Sequence, residues 1–323
     1  MPLPANKPAS KLMVVIAFAT VYLVWGSTYY FIRVAIQHIP PLLMAFTRFF
    51  TAGILLLTWC AIKGDRLFVW KDIKPAIVTG LILLFLSNGA VVWVEQYLPS
   101  SFVAVLAAAT PIWFVVLDKP NWQVNFKSRE TIIGLLIGFI GVILLFSENA
   151  RQAFSSTGNG IQAIALGVLV VGSIAWAGGS LYSKYYSSGS FHSVNTAWQM
   201  ITAGIAFMPV SYFSGEWTHF HLQQVTNESW LALIYLVSMG SLAGYSAYVW
   251  LLQVRPATQV STHAYVNPVV AVLLGVFLAG EKMTVLQVAG LAVILTSVLL
   301  VNLAKYRKER QQFSSEEDVV YEV

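Results

Sequence analysis

The sequence predicts an all-α integral membrane protein with ten transmembrane helices, arranged as two inverted repeats of five helices. Three observations predict this class. Hydrophobic residues make up 57% of the 323-residue chain and charged residues only 10%, whereas soluble domains are roughly 25% charged. Apolar runs of membrane-spanning length recur along the chain, and the second half repeats residues of the first.

Ten apolar runs define the predicted spans, and short connections separate them. A helical span needs about 20 apolar residues, within a range of roughly 17–25. The run after Lys11 is longer than the apolar core of a signal peptide, so we expect it to remain as an uncleaved first span. The predicted spans are 12–37, 41–62, 73–95, 100–117, 131–149, 161–184, 192–213, 229–252, 257–279 and 284–304.

The internal repeat is visible as identical residues at a nearly constant offset. An offset of 151 aligns Trp25 with Trp176, and an offset of 157 aligns Pro111 with Pro268. The offset grows because the loop that follows the second span of the repeat is longer in the second half. Further identical pairs are Gly53 and Gly204, Trp93 and Trp250, Gln96 and Gln253, and Pro99 and Pro256.

The predicted repeats are 12–149 and 161–304, and a polar cytoplasmic tail follows at 305–323. Each repeat contains five spans, and an odd number forces the second copy to enter the membrane in the opposite orientation. Inverted repeats of this kind let secondary transporters build one site that can face either side of the membrane.

Basic residues are distributed unequally between the two sides of the predicted membrane domain. When the loops are assigned alternately, 15 Lys and Arg residues fall on one side and two, Arg151 and Lys282, on the other. The positive-inside rule therefore predicts that both termini are cytoplasmic, and the expected location is a bacterial cytoplasmic membrane. The net charge of +5 indicates topology and no nucleic-acid partner. The expected partners are the lipid bilayer and a small-molecule substrate, and the oligomeric state is open.

Arg48 is the most informative polar residue at membrane depth, because a central Arg costs roughly 2.5–3.5 kcal/mol on insertion scales. It lies near the start of span two, and its repeat partner is Gln199 in span seven. We expect both in the substrate-binding region, where Arg48 would hold a carboxylate or phosphate. The alternative is a structural Arg48 that bonds backbone carbonyls or reaches toward water.

Asn88 in span three and Tyr245 in span eight are also repeat partners. Both copies keep a polar group at this depth, which predicts a shared polar cavity. Hydrogen bonding between helices is the alternative, although such bonds contribute only about 0.6 kcal/mol on average.

Pro111 and Pro268 lie within spans four and nine, and each follows a polar residue, Thr110 or Asn267. A proline inside a helix frees the carbonyl four residues earlier, and freed carbonyls at membrane depth are tolerated where they line a cavity. We expect Thr110 and Asn267 to bind substrate and the prolines to act as hinges, with a simple packing kink as the alternative.

His263 and Glu95 are the candidate groups for coupling transport to protons. His263 shares a helical face with Asn267 and is also a candidate substrate-binding residue, since imidazole titrates near neutral pH. A buried structural His263 and an interfacial, solvated Glu95 are the alternatives.

Three aromatic residues in the repeated segments complete the predicted substrate-binding set: Trp25, Tyr29 and Trp176. Trp and Tyr are enriched at membrane interfaces, yet Trp25 and Trp176 lie deeper than that. They are expected to form stacking walls for an organic solute.

The sequence contains no pattern for ATP binding, metal binding or catalysis. A phosphate-binding Gly-x-x-x-x-Gly-Lys-Ser/Thr loop and a His-Glu-x-x-His motif are both missing. The single cysteine, Cys60, excludes an internal disulfide and a cysteine-rich metal site. We expect no enzymatic activity, no cofactor and no metal.

Short motifs in both halves resemble the EamA-like family of the drug/metabolite transporter superfamily, in order and spacing along nearly the whole chain. The sequence departs from the family at Asp118-Lys119-Pro120-Asn121-Trp122, where family members continue apolar, so span four is short. The motifs are Trp25-Gly26-Ser27-Thr28-Tyr29, Arg48-Phe49, Ala52-Gly53, Pro99-Ser100, Trp176-Ala177 with Tyr182, Ala264-Tyr265-Val266-Asn267-Pro268-Val269, and Gly280-Glu281.

The resemblance implies two inverted five-helix repeats, a central cavity and alternating access. With the residues above, it predicts a secondary transporter that exports small organic metabolites, such as amino acids or drugs, with protons as a candidate coupling ion. A passive facilitator or channel for small solutes is the alternative.

Overall fold

The structure is a computed structural model that describes residues 9–94, 97, 103, 107–155, 160–187, 192–279 and 284–301. Over these residues the chain is helical and contains no strand, which confirms the predicted all-α class. The helices are α1 Lys11–Ala35, α2 Pro41–Ile62, α3 Trp70–Val94, α4 Thr110–Leu117, α5 Trp122–Lys127, α6 Arg129–Ser155, α7 Gly160–Tyr186, α8 His192–Phe213, α9 Glu216–His219, α10 Asn227–Val254, α11 Ala257–Val260, α12 His263–Ala279 and α13 Val285–Val301.

Six of these helices, α1, α2, α3, α6, α7 and α10, are long and apolar enough to cross a membrane. Their outward faces carry large apolar side chains, such as Leu55, Ile140 and Leu231, which are 50%, 52% and 66% exposed. A soluble protein rarely leaves so much contiguous apolar surface in water. The exposed faces therefore indicate contact with lipid.

The fourth predicted span differs most from the structure. Residues 98–102 and 104–106 lie outside the described part of the chain, and the described helix α4 covers only Thr110–Leu117. Pro111 lies in the first turn of α4, where its missing N–H removes no helical hydrogen bond. It therefore does not interrupt a helix, whereas Pro268 lies in the interior of α12.

Helices α2 and α8 pack backbone to backbone through two glycines. A Cβ atom on Gly53 would lie 2.6 Å from Ile201, and a Cβ atom on Gly204 would lie 2.7 Å from the backbone nitrogen of Phe50. Both distances are far below van der Waals contact, so only glycine fits at either position. The two contacts are reciprocal, because Gly53 and Gly204, like Phe50 and Ile201, are 151 residues apart.

Helices α3 and α10 both contain a π-helical segment, at Gly80–Leu86 and Leu236–Tyr245 respectively. An offset of 157 places the first segment within the second. π-Helical turns are rare and are frequent at functional sites. Asn88 follows the first segment closely, and Tyr245 ends the second.

Candidate substrate-binding cavity

A cavity of about 180 Å³ lies between helices α1, α2, α3, α4, α7, α10 and α12. Gln199 and Pro111 do not line it, although Pro268 does. Glu95 lies outside the described residues. The cavity is lined by nine of the ten side chains predicted to bind substrate, namely Trp25, Tyr29, Arg48, Asn88, Thr110, Trp176, Tyr245, His263 and Asn267.

Arg48 reaches the cavity from α2 and is anchored through one of its nitrogens. Its Nε donates a hydrogen bond to the Ser241 hydroxyl at 2.9 Å, and its guanidinium carbon lies 5.0 Å from the centre of the Phe49 ring. Within the described part of the chain no carboxylate pairs with Arg48. The terminal nitrogens therefore remain available for a ligand.

Three ring side chains of the cavity lining, Trp25, Trp176 and His263, pack together, and the buried Tyr248 packs behind them. Trp25 contacts Trp176 edge to face with ring centroids 5.6 Å apart. The His263 ring lies among three aromatic rings, 5.2 Å from Trp25, 6.0 Å from Trp176 and 5.2 Å from Tyr248. Edge-to-face pairs at these separations add to the stability from burial, so the wall is a rigid surface.

His263 is held in one tautomer by the backbone. Its Nδ1 lies 2.9 Å from the carbonyl oxygen of Val260, and a carbonyl can only accept, so Nδ1 carries the hydrogen. Nε2 is then the acceptor in the neutral ring. The Ser261 and Thr262 hydroxyls likewise donate to carbonyls three residues earlier, at 2.9 and 2.7 Å. These bonds give the backbone carbonyls between α11 and α12 hydrogen-bond donors.

Thr110 and Asn267, which correspond at an offset of 157, have different hydrogen-bonding states. The Thr110 hydroxyl donates to the carbonyl of Ala107 at 2.6 Å, and Ala107 lies just before the start of α4. The Oδ1 atom of Asn267 is buried and has no hydrogen-bond partner within the described part of the chain. Buried polar atoms without a partner are rare in proteins, and this one belongs to a residue of the cavity lining.

Asn88 and Tyr245 line the cavity at equivalent positions in α3 and α10. The Asn88 amide donates to the carbonyl of Leu83 at 3.4 Å, within the π-helical turn. The Tyr245 hydroxyl donates to Oε1 of Gln199. Gln199 is fully buried and therefore lies behind the cavity wall, where it holds Tyr245 in place. The prediction that Gln199 itself lines the site is not what the structure shows.

A chain of buried polar groups leads away from Tyr245. Gln199 donates to Oδ1 of Asn195 at 2.5 Å and to the Ser183 hydroxyl at 3.3 Å. Asn195 in turn donates to the backbone carbonyl of Asp72 at 3.1 Å. The network connects the cavity wall with the C-terminal half of α7 and the start of α3.

Two glycines of α10 make room for the ligand-facing side chains, and this role was not recognised from the sequence. A Cβ atom on Gly240 would lie 3.0 Å from Nη2 of Arg48, and one on Gly244 would lie 2.6 Å from Nε1 of Trp25. That same nitrogen donates to the Gly240 carbonyl at 3.0 Å. Two glycines four residues apart predict that another helix packs closely against them. The spacing does not reveal that the side chains of Arg48 and Trp25 occupy this space instead.

Sequence reasoning also missed Tyr248. Its hydroxyl accepts from Nε1 of Trp176 at 3.0 Å and bonds the Ser180 hydroxyl at 2.6 Å. Tyr248 lies three residues after Tyr245, on the same helical face. That spacing is the signal that places it against the cavity.

A second polar cluster joins the C-terminal ends of α4, α7 and α10, and we call it the Asp118 cluster: Asp118, Asn121, Asn125, Lys184 and Tyr185. Asp118 is 2% exposed and accepts hydrogen bonds from Tyr185, Asn121 and Asn125. Lys184 donates to the backbone carbonyls that end α10, those of Leu252 and Arg255.

The Asp118 cluster lies beyond one end of the cavity. Tyr185 is nine residues after Trp176 in α7, which corresponds to roughly 13 Å along a helix. The departure from the family's apolar pattern at Asp118 therefore produces a polar junction between three helix ends. Among the described residues, no group of three or more His, Cys, Asp or Glu side chains could hold a metal ion.

The long apolar helices and the cavity between them are those of a helical membrane protein. The chain belongs to the EamA-like transporter family, whose model matches residues 12–147 and 163–303. The resemblance found from the sequence motifs is thereby confirmed, and with it the class of transporter.

Two relatives and one solved structure extend the comparison. YedA of Escherichia coli, named an uncharacterized inner membrane transporter, is 37% identical over 294 residues that cover 90% of each chain. YvbV of Bacillus subtilis, named an uncharacterized transporter, is 25% identical over 301 residues, covering 91% of this chain and 92% of that one. A crystal structure with 15% identity superposes with a TM-score of 0.73 over 91% of this chain and 99% of its own, which shows a shared fold.

Proposed function

We propose that this protein is a secondary transporter that exports small organic solutes, such as amino acids or drugs, by alternating access. The observation that carries the proposal is a single cavity lined by equivalent residues of both halves. The pairs are Trp25 with Trp176, Asn88 with Tyr245, and Thr110 with Asn267. A site shared between two repeats can change its access when one repeat rocks against the other.

The proposed architecture is ten helices in two inverted repeats, 12–149 and 161–304, with a polar tail at 305–323. The reciprocal contacts of Gly53 and Gly204 support it, because a two-fold relation between the halves makes such contacts occur in pairs. The matching π-helical segments of α3 and α10 support it further.

The proposed location is a bacterial cytoplasmic membrane with both termini in the cytoplasm. Two observations favour it: the relative YedA is named an inner membrane transporter, and the basic residues of this chain concentrate in alternate loops. With this topology the Asp118 cluster lies at the cytoplasmic end of the bundle.

Alternating access requires one end of the bundle to be closed while the other admits solute. The Asp118 cluster supplies a candidate closure, since its hydrogen bonds tie three helix ends together. The cavity itself is lined by the middle of α7, from Leu169 to Trp176, and Tyr29 beside it is 39% exposed. These positions support the proposal that the described conformation is one closed at the Asp118 end.

Substrate-binding roles follow from the geometry. The terminal nitrogens of Arg48 and the Oδ1 atom of Asn267 offer donors and an acceptor without partners among the described residues, while Trp25 and Trp176 provide the apolar wall. His263 is the candidate proton-coupling group, because its Nε2 is free to accept a proton; Glu95 stays a second candidate. Pro268 is the candidate hinge of α12, with Pro111 as its counterpart.

Reconstitution into liposomes tests the proposed function. Vesicles loaded with a mixture of labelled amino acids and nucleobases are given a proton gradient, and the net movement of each solute is followed. Uphill movement that disappears when the gradient is collapsed supports a secondary transporter. Movement that only equilibrates would identify a passive facilitator. Unchanged flux in all three of Arg48→Ala, Asn88→Ala and Asn267→Ala would rule out the proposed site.

A further inference from the structure

The charge of the cavity lining discriminates between the solutes that the proposed transporter could carry. Arg48 is the one permanently charged side chain among the described lining residues, and those residues include no Asp or Glu. An organic cation would meet Arg48 without any carboxylate to offset the repulsion, whereas an anion would be attracted.

Arg48 has unused donors that point to a planar anionic group. A guanidinium carries five N–H donors, and the described structure uses only Nε, which bonds the Ser241 hydroxyl. That bond fixes one edge of the plane. The two terminal nitrogens then form the paired donors that carboxylates and phosphates accept in parallel.

Gly240 allows this arrangement. Its missing side chain leaves the space that Nη2 of Arg48 occupies, 3.0 Å from where a Cβ atom would be. The guanidinium is thus confined between α10 and the Phe49 ring, 5.0 Å from the ring centre. A side chain confined in this way loses little further entropy when it binds an anion.

Asn267 adds a second requirement for the solute, a hydrogen-bond donor. It is 6% exposed, and its Oδ1 acceptor has no hydrogen-bond partner among the residues that the structure describes. A ligand with an N–H or O–H donor would satisfy this atom, and a ligand without one would leave it unpaired. Asn267 and Arg48 line the same cavity, so one small molecule can contact both side chains.

The size of the cavity limits the solute. About 180 Å³ is smaller than the 300–1,000 Å³ that is typical of pockets for drug-sized ligands. Trp25, Tyr29 and Trp176 supply aromatic surface to the same cavity as the polar groups. A solute with one small ring or a short apolar chain fits this space.

We propose that the cavity selects small organic anions that also carry an N–H or O–H donor, and that it excludes organic cations. This inference rests on the proposed transport function and narrows its substrate class. A carboxylate and a phosphate monoester present the same chemistry to Arg48, and the experiment separates them.

The test measures the thermal unfolding midpoint of the purified protein with five single-ring probes at constant ionic strength. The probes are para-hydroxybenzoate, benzoate, para-hydroxybenzamide, para-hydroxybenzylamine and phenyl phosphate. We expect para-hydroxybenzoate to raise the midpoint most, benzoate to raise it less, and the amide and the amine to leave it unchanged. Phenyl phosphate acting more strongly than benzoate would assign the anion as a phosphate ester.

Three variants assign the effects to residues. Arg48→Gln should raise the half-saturating concentration of para-hydroxybenzoate by about tenfold or more, since a charge-assisted hydrogen bond is lost. Arg48→Lys should keep part of the effect, which excludes misfolding as the cause. Asn267→Leu should remove the preference for the hydroxylated probe but keep the preference for an anion. Arg33→Gln, at an exposed position near the end of α1, is the matched control and should change nothing.

Several results would overturn the proposal. They are stabilisation by the amine equal to that by the anions, an anion effect that survives in Arg48→Gln, and no effect of any anion at its solubility limit. Measurements of solute flux distinguish a failure of the proposed anion selectivity from a failure of the proposed transport function. Transport of a cation that is independent of Arg48 would refute anion selectivity but leave the transporter assignment standing, whereas absence of any flux would refute the latter.

Discussion

Trp25 and Trp176 occupy equivalent positions in the two halves of the chain and contact each other edge to face, with ring centroids 5.6 Å apart. Both indole N–H groups donate to α10: Trp25 to the Gly240 carbonyl and Trp176 to the Tyr248 hydroxyl, each at 3.0 Å. A single helix thus fixes the aromatic residues of both halves. Changes in α10 should therefore alter the cavity more than changes in other helices.

Replacing Gly240 or Gly244 by alanine should damage the cavity to different degrees. At Gly244 the new Cβ atom would lie 2.6 Å from the rigid Trp25 indole, so Gly244→Ala should lower stability by about 1–3 kcal/mol, as overpacking does, and also weaken binding. At Gly240 the new Cβ atom would lie 3.0 Å from Nη2 of Arg48 and 3.2 Å from Cγ2 of Thr28, a milder overlap that mainly displaces the guanidinium, so Gly240→Ala should weaken binding with a smaller loss of stability.

The measurements are thermal unfolding and ligand binding of the purified variants. Gly167→Ala is the matched control, because a Cβ atom there meets nothing within 4 Å. Equal losses in Gly167→Ala and Gly244→Ala would mean that helix-wide effects, not contact with Trp25, govern stability.

The hydrogen bond between Tyr245 and Gln199 should show strong coupling in a double-mutant cycle. Tyr245→Phe leaves the buried Gln199 acceptor without its partner, which should cost about 1–3 kcal/mol. Adding Gln199→Leu removes the unpaired oxygen, so the double variant should lose less stability than the sum of the single losses. Chemical denaturation in detergent measures all four forms.

Tyr212→Phe serves as the control, since Tyr212 is 66% exposed and should tolerate the change. Strict additivity of the two single losses would contradict a direct role of the Tyr245–Gln199 bond.

Breaking the Asp118 cluster should open the end of the bundle that it ties together. Asp118→Ala leaves Tyr185, Asn121 and Asn125 without their shared acceptor. The readout is maleimide labelling of Ser183→Cys in a chain whose only cysteine, Cys60, is first changed to Ser. Ser183 is 1% exposed, so labelling should be slow in the parent and several-fold faster when Asp118 is removed.

Lys119→Gln, an exposed neighbour of Asp118, should leave the labelling rate unchanged. Equal protection of Ser183→Cys with and without Asp118 would show that the cluster does not control access.

Glu216 should stabilise the start of α2 from the opposite end of the bundle. Its carboxylate accepts hydrogen bonds from the backbone nitrogens of Leu42 and Leu43 at 3.0 and 2.8 Å, and from the Ser211 hydroxyl at 2.7 Å. A carboxylate at a helix N-terminus satisfies unpaired N–H groups and the helix dipole. Glu216→Ala should therefore lower stability by about 1–3 kcal/mol.

Thermal unfolding of Glu216→Ala is compared with that of Glu228→Ala, whose side chain is exposed in the first turn of α10. Similar small losses in both variants would count against capping by Glu216.

The sequence was sufficient to predict the all-α class and the six long apolar helices, because long apolar runs have few alternatives to membrane helices. The repeat also predicted which residues correspond, and most of the candidate polar and aromatic residues line one cavity. Gln199 shows where this reasoning stops. Its repeat partner Arg48 is longer and faces the cavity, while Gln199 bonds Tyr245 and Asn195 behind the wall. Correspondence in a repeat fixes position, not the direction of a side chain.

The Asp118 cluster could not be predicted for a different reason. Asp118 and Tyr185 are 67 residues apart, and only tertiary packing of α4 against α7 brings them together. In the sequence Asp118 is a charged residue that shortens a span. The hydrogen bond between Asp118 and Tyr185 forms only because the ends of α4 and α7 lie next to each other in the folded protein.

The π-helical segments make the exact number of residues in α3 and α10 part of the binding site. A π turn holds one more residue than an α turn, so Gly80–Leu86 could tighten only by turning the following residues by about 100° around the axis. Asn88 would then leave the cavity face although no side chain had changed. Loss of one residue from the segment would let it wind as an α-helix with Asn88 in place, whereas gain of one would displace it. Insertions and deletions in these segments thus test the role of residue number in the binding site, which substitutions leave unchanged.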